Sequence, residues 1–140
     1  MHSHKELIVW QKGMAPVTLI YRVNSKFPKE EMYGLTSQIR RAAISIPSNI
    51  AEGRCRSSKK DYLQFLRIAN GSSAELETQL LIAKELSFID EFDYNRAYDA
   101  IIEIMRMLRA MIQKLNPNKT IASTASLKAS PEASEANEAN

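Results

Sequence analysis

The chain has 140 residues, enough for one domain, and its 44% hydrophobic content with ten aromatic residues is enough for a real core. A single cysteine, Cys55, excludes an internal disulfide, and no apolar run approaches the roughly 20 residues that span a bilayer. A formal charge of +3 is too small to argue from as a total, so only its distribution carries information.

The opening MHSHKELIVW has neither the apolar stretch nor the cleavage site of a secretory signal, and the expectation is a cytoplasmic protein with no membrane contact. Leu7, Val9, Trp10, Met14, Val17, Ile20 and Tyr21 fall on one face at helical spacing and predict a helix over residues 5–25. Gly13 and Pro16 interrupt that pattern, and Pro16 predicts a kink or a break. Phe27-Pro28 closes the segment.

Leu35, Ile39, Ala42, Ile46, Ile50 and Gly53 define a second helix of about twenty residues. It contains RRAAISIPSNIAEG, residues 40–53, with Pro47 in its middle. A proline there removes one N–H and frees the carbonyl of Ala43, bending the helix. Asn49 and the neighbouring serines are then candidates to bind the freed backbone group or a partner helix.

Ser58 with Asp61 three residues later reads as the cap of a third helix. Tyr62, Phe65, Leu66, Ala69, Leu76, Leu80 and Ala83 form its core stripe. Across an antiparallel turn near residues 55–57, the small residues Ala42, Ala43, Ser45, Ser48 and Ala51 lie opposite Gly71, Ser72, Ser73 and Ala74, which suits close packing. A fourth helix runs from about Asp93 to Leu115 on a stripe from Ala97 to Leu115, and Asn116-Pro117 stops it. No segment alternates with period two. The expectation is all-α: an antiparallel up-down-up-down four-helix bundle over residues 1–116. Residues 117–140, rich in Ala, Ser, Asn and Glu, read as a disordered low-complexity tail.

Two patterns remain once the core is placed. Leu63, Ala74 and Leu81 on the third helix, Tyr98, Ile102 and Met105 on the fourth, and Ile44 on the second form apolar stripes outside the core face. Aligned second stripes point to subunit contact, so Ile44, Leu63, Leu81, Tyr98 and Ile102 are the expected contacts of a homo-oligomer. Charge is also segregated. One pole of the bundle collects Lys5, Lys12, Arg54, Arg56, Lys59, Lys60, Arg106, Arg109 and Lys114; the other collects Glu30, Glu31, Glu85, Asp90, Glu91 and Asp93. RCRSSKK, residues 54–60, is the densest basic run. Arg54, Arg56, Lys59, Lys60, Arg106, Arg109 and Lys114 are candidate nucleic-acid contacts, since Lys and Arg neutralise phosphates without reading sequence. The alternative is a solvated charged loop beside a fourth helix whose cations complement its dipole.

Catalytic chemistry finds no support. Both histidines, His2 and His4, stand at the start of the chain; no Glu-x-x-His pair, Ser-His or Cys-His arrangement or Gly-rich phosphate loop occurs. Cys55 lies between Arg54 and Arg56 but has no positioned base. Glu75 and Glu77 point to different faces of a helix, and Glu75 reads better as an ion-pair partner of Arg40 or Arg41. No enzyme activity, metal or cofactor is expected.

RRAAISIPSNIAEG together with FLRIANGSSAELETQLLIA at 65–83, LIVWQK at 7–12 and FPKEEMYGLTSQI at 27–39 resembles the four-helix-bundle family of 23S rRNA intervening-sequence proteins. The resemblance covers about residues 5–115. It implies a left-handed up-down bundle, commonly a homopentamer, with no established enzyme activity. Related bundles are accessory proteins of diversity-generating retroelements, so the resemblance implies RNA or other nucleic acid, and a reverse transcriptase or other protein, as partners. The positions it carries over are Arg40, Arg41, Pro47, Asn49, Glu52, Gly53, Gly71, Glu75 and Glu77, as structural determinants. Gly13 and Pro16 depart from the continuous first helix of the family. The functional expectation is a non-enzymatic oligomeric nucleic-acid-binding protein, with a protein-interaction scaffold or accessory subunit as the alternative.

Overall fold

A computed structural model describes residues 3–117. The tail expected from residue 117 onward lies, apart from Pro117, outside the described residues. Four helices follow a short 3-10 turn at His4–Glu6: α1 (Ile8–Asn24), α2 (Leu35–Arg54), α3 (Lys59–Glu85) and α4 (Glu91–Leu115). Each helix packs on its sequence neighbours, and α1 closes the square against α4. This is an up-down bundle, and no strand occurs among the described residues. No helix among them is long and apolar enough to cross a membrane.

The helix starts follow local chemistry. The Ser58 hydroxyl accepts the Asp61 N–H at 3.1 Å, as its spacing predicted, and Asp90 caps α4 by accepting the Asp93 N–H at 2.7 Å. The end of α3 is less legible. Ser87, at φ 61°, adopts the left-handed conformation usually left to glycine. There the Phe88 N–H donates to Ala83 and the Ser87 N–H to Lys84, closing a Schellman turn that directs Phe88 onto Phe27 at 5.7 Å.

Pro16 does not break α1, which runs unbroken through it. Pro16 and Gly13 are both buried, and an atom added at the Gly13 Cβ position would lie 3.3 Å from Ile50 Cδ1 and 3.7 Å from Pro47 Cα. The glycine that weakens the helical pattern therefore lets α1 close on α2 at its proline. Asn49 does not take the carbonyl freed at Ala43. Its carboxamide donates to the Ser45 carbonyl at 2.7 Å and to the Ser45 hydroxyl at 2.8 Å, and that hydroxyl shares a 2.8 Å hydrogen bond with Ser72 of α3. The expected link to a partner helix thus runs through Ser45.

The core is built from Ile20, Ile39, Ile46, Ile50, Leu66, Leu76, Leu80, Ile101, Ile104 and Leu108, all fully buried. Two expectations about surface residues are corrected here. Leu63 and Met105 are buried rather than part of an outer stripe; Leu63 lines a concavity shared with Leu115, Asn116 and Pro117 at the end of α4. Tyr98 and Ile102 are half-buried against the edge of the core, whereas Ile44 and Leu81 are exposed. The small-residue patch is also narrower than expected: Ser72 and Ser73 are buried, while Gly71 and Ala74 face out.

Gly53 marks the tightest approach of α2 to α3. A Cβ there would stand 2.7 Å from Phe65 Cβ and 3.0 Å from Tyr62 Cδ1. Nothing lies within 4 Å of the equivalent position at Gly71. Chemical denaturation should therefore separate two identical substitutions. Gly53→Ala is expected to destabilise by about 1–3 kcal/mol through overpacking, and Gly71→Ala to stabilise by about 0.5–1 kcal/mol through helix propensity.

Candidate nucleic-acid interface

The up-down path brings the start of α1, the α2–α3 turn and the end of α4 to one pole. Alternating direction alone therefore gathers the basic run and the cations of α4. Arg54, Arg56, Lys59, Lys60, Arg106, Arg109 and Lys114 are all exposed. Among the described residues Arg56 alone of the seven has an ion-pair partner: it pairs with Glu52 at 2.6 Å, and its guanidinium lies 5.0 Å from the centre of the Phe65 ring. The other six make no ion pair among the described residues. Lys12, placed at the same pole by sequence, is engaged at 3.0 Å by Glu103 of α4. Glu6 also has an interaction within the chain.

A concavity of about 470 Å³ lies between the start of α3 and the end of α4. Lys59, Lys60 and Arg67 stand around it, with Leu63, Leu115, Asn116 and Pro117 completing the lining. Arg67 was absent from the sequence-based candidates. Its signal was its place seven residues, two helical turns, after Lys60, which puts both cations on one face. Leu63 facing Leu115, with Lys84 4.4 Å from the Tyr94 ring centre, fixes the register of α3 against α4. That register places Arg109 within about one turn of Arg67. Lys114 lies about 140° around α4 from Arg109 and so serves a different side. The seven predicted cations share a pole but not a single patch.

Tyr62, beside the basic turn, packs against Gly53. Burial pushes its phenol above the ordinary value near 10, against a smaller downward pull from Arg54. Its hydroxyl is buried without a hydrogen-bond partner. His4 sits in the short 3-10 turn edge-on to Trp10 at 5.2 Å; His2 lies outside the described residues. Cys55 is exposed.

The carried-over motif positions sort by their contacts. Arg40 does not pair with Glu75: its Nε donates to Asn24 Oδ1 at 3.1 Å, and its guanidinium lies 4.7 Å from the Tyr21 ring centre. Arg41 and Glu75 line one polar groove of about 430 Å³ between α2 and α3, with Gln38, Ser45 and Ser72, yet no ion pair joins them. Glu75 instead accepts a hydrogen bond from Gln79 at 3.2 Å, while Glu77 is half-buried on another side of α3. An apolar groove of about 360 Å³ between α1 and α2 is lined by Trp10, Met14, Val17, Ile44, Pro47, Ser48 and Ala51. No group of three or more His, Cys, Asp or Glu residues able to hold a metal occurs among the described residues.

The 23S rRNA-intervening sequence protein family matches residues 5–110, most of the chain and all but the last turn of the bundle. The chain belongs to that family. A solved structure similar to it is that of a protein of unknown function from the S23 ribosomal protein family of Bacteroides thetaiotaomicron VPI-5482. The two share 24% identity with a TM-score of 0.70 over 75% of this chain and 98% of the other, which supports the fold. No curated protein matches.

Tyr62→Phe removes a buried hydroxyl that has no partner. It is expected to leave thermal stability unchanged or raise it by about 1 kcal/mol. The sign for pH follows from the raised phenol. The folded state holds that proton to higher pH than the unfolded chain, so stability is full below the unfolded value near 10 and falls as pH rises above it. Denaturation midpoints on either side of pH 10 should fall less in Tyr62→Phe than in wild type.

Proposed function

We propose that this family member is a non-enzymatic, oligomeric nucleic-acid-binding protein that holds phosphates, most naturally those of RNA, at its basic pole. One observation carries the reading: among the described residues, Lys59, Lys60 and Arg67 stand around one groove without an ion-pair partner, as does Arg54 at the adjoining end of α2. A cation without an intramolecular carboxylate is available to replace the counterions of a phosphate backbone. The free N–H groups at the start of α3 add to the same field. Arg56, held by Glu52 and Phe65, is a lesser contributor than its place in the sequence suggested.

Association of copies would multiply this pole. The apolar groove between α1 and α2, with exposed Ile44 on its wall, and exposed Leu81 on α3 support self-association. The same apolar surfaces support the second reading, a scaffold or accessory subunit that docks a polymerase or another protein without touching nucleic acid.

Fluorescence anisotropy of a labelled RNA across a salt series distinguishes the two. The triple variant Lys59→Ala, Lys60→Ala, Arg67→Ala should reduce the slope of log K against log salt by about 2, at about 0.7 per lost single-strand phosphate contact. Arg56→Ala alone should change it least. Unchanged affinity and slope in the triple variant would remove the groove from the interface, and no binding by wild type at low salt would favour the scaffold.

A further inference from the structure

The opposite pole has its own surface chemistry. It is formed by the α1–α2 loop, the end of α3 and the start of α4, which the fold fastens together. Lys26 reaches Asp93 at 3.3 Å, and Phe27 packs on Phe88 at 5.7 Å. On this fixed platform four large apolar side chains face solvent: Tyr33 is 96% exposed, Phe92 70%, Leu86 53% and Met32 47%. Single exposed apolar groups are ordinary, but Tyr33 and Phe92 are the most exposed aromatic residues described, and both occur here.

The charges around them have one sign in excess. Glu30, Glu31, Glu85, Asp90, Glu91 and Asp93 stand against Lys26, Lys29, Lys84 and Arg96 in the same segments, with Arg22 in the last turn of α1. Most of the local cations are already engaged: Lys26 by Asp93, Lys84 by the Tyr94 ring, and Arg96, one turn into α4, by the Phe92 ring at 5.7 Å. Asp90 and Glu31 accept backbone N–H groups, from Asp93 and Leu35. Glu30, Glu85 and Glu91 are exposed and make no ion pair among the described residues.

We propose that this acidic, aromatic pole is a docking surface for a basic segment of another protein that carries apolar anchors. Aromatic side chains supply the buried contact area of such interfaces, and unpaired rim carboxylates select and steer a cationic partner. The basic pole of a second copy has the complementary charge, but its helix ends offer one large exposed apolar side chain, Ile8 at the start of α1, against four on the acidic pole, since Leu63 is buried there and Leu115 half-buried. Pole-to-pole stacking would also leave an open filament rather than a closed assembly. The proposal is independent of phosphate binding at the other pole.

The test uses the full chain and a short fluorescein-labelled synthetic peptide of Lys, Leu and Trp, with oligolysine as the charge-only control. Wild type is expected to bind the mixed peptide more tightly than oligolysine and to weaken as salt rises. Tyr33→Ser with Phe92→Ser should weaken binding about tenfold or more while leaving helicity and the unfolding midpoint unchanged, because both side chains are exposed. Glu30→Gln, Glu85→Gln and Glu91→Gln together should flatten the salt dependence, and the Lys59, Lys60 and Arg67 variant should bind like wild type. Equal binding by the Tyr33, Phe92 variant, equal affinity for oligolysine, or no binding to about millimolar peptide would overturn the proposal. So would sedimentation showing that the chain alone self-associates and that variants at either pole abolish it, since the occupant would then be a second copy.

Discussion

Between Gly53 and Phe65 there is no room for a side chain, and much of the molecule depends on that contact. It brings the last turn of α2 against the first turns of α3, so the connection between them is a short exposed turn. Further along the same pair, Ser45 and Ser72 meet through their hydroxyls, and Asn49 completes the polar chain. Small residues achieve this because neither helix must displace a bulky neighbour. The basic run at residues 54–60 is presented by this junction.

The α1–α2 contact obeys the same constraint in a less familiar form. A proline inside a helix normally signals disruption, and here both Pro16 and Pro47 are buried within continuous helices. Gly13 faces the Ile46 and Ile50 side chains and the backbone of Pro47, so α1 offers an absent side chain where α2 presents its proline turn. A lost backbone hydrogen bond costs stability locally, and close packing across the crossing offsets it. The two poles then follow from alternating helix direction. One collects the α2–α3 turn with the start of α1 and the end of α4, the other the α1–α2 and α3–α4 connections, and their opposite charge becomes a property of surfaces rather than of segments.

Much of the candidate site was legible as residue type and little of it as arrangement. Lys59 and Lys60 belong to a dense basic run, and Ser58 with Asp61 marks where their helix begins. Arg67 escaped because it stands alone in sequence, two turns beyond the run, and joins the groove only through helical periodicity. Arg56 differs for the converse reason: it belongs to the same basic run, but its contacts in space are Glu52 and Phe65. Leu63 looked like a surface anchor because its angle on an isolated helix departs from the core stripe. It is buried at the concavity where α3 meets the end of α4, and that junction is not encoded in the periodicity of α3.

Periodicity and capping are local, so the four helices, the cap at Ser58, most of the core and the sign of charge at each end were legible in the residues alone, while the Asp90 cap, ahead of the expected start of α4 near Asp93, was not. Only the tertiary structure decided which polar side chains are spent internally. Arg40 turned to Asn24 and Tyr21 rather than Glu75, and Asn49 to Ser45 rather than the carbonyl at Ala43. It also decided which groups remain available outside, including Arg67 on one pole and Tyr33 and Phe92 on the other. Those outcomes depend on the angle and overhang of neighbouring helices, which are set by contacts between residues far apart in the chain.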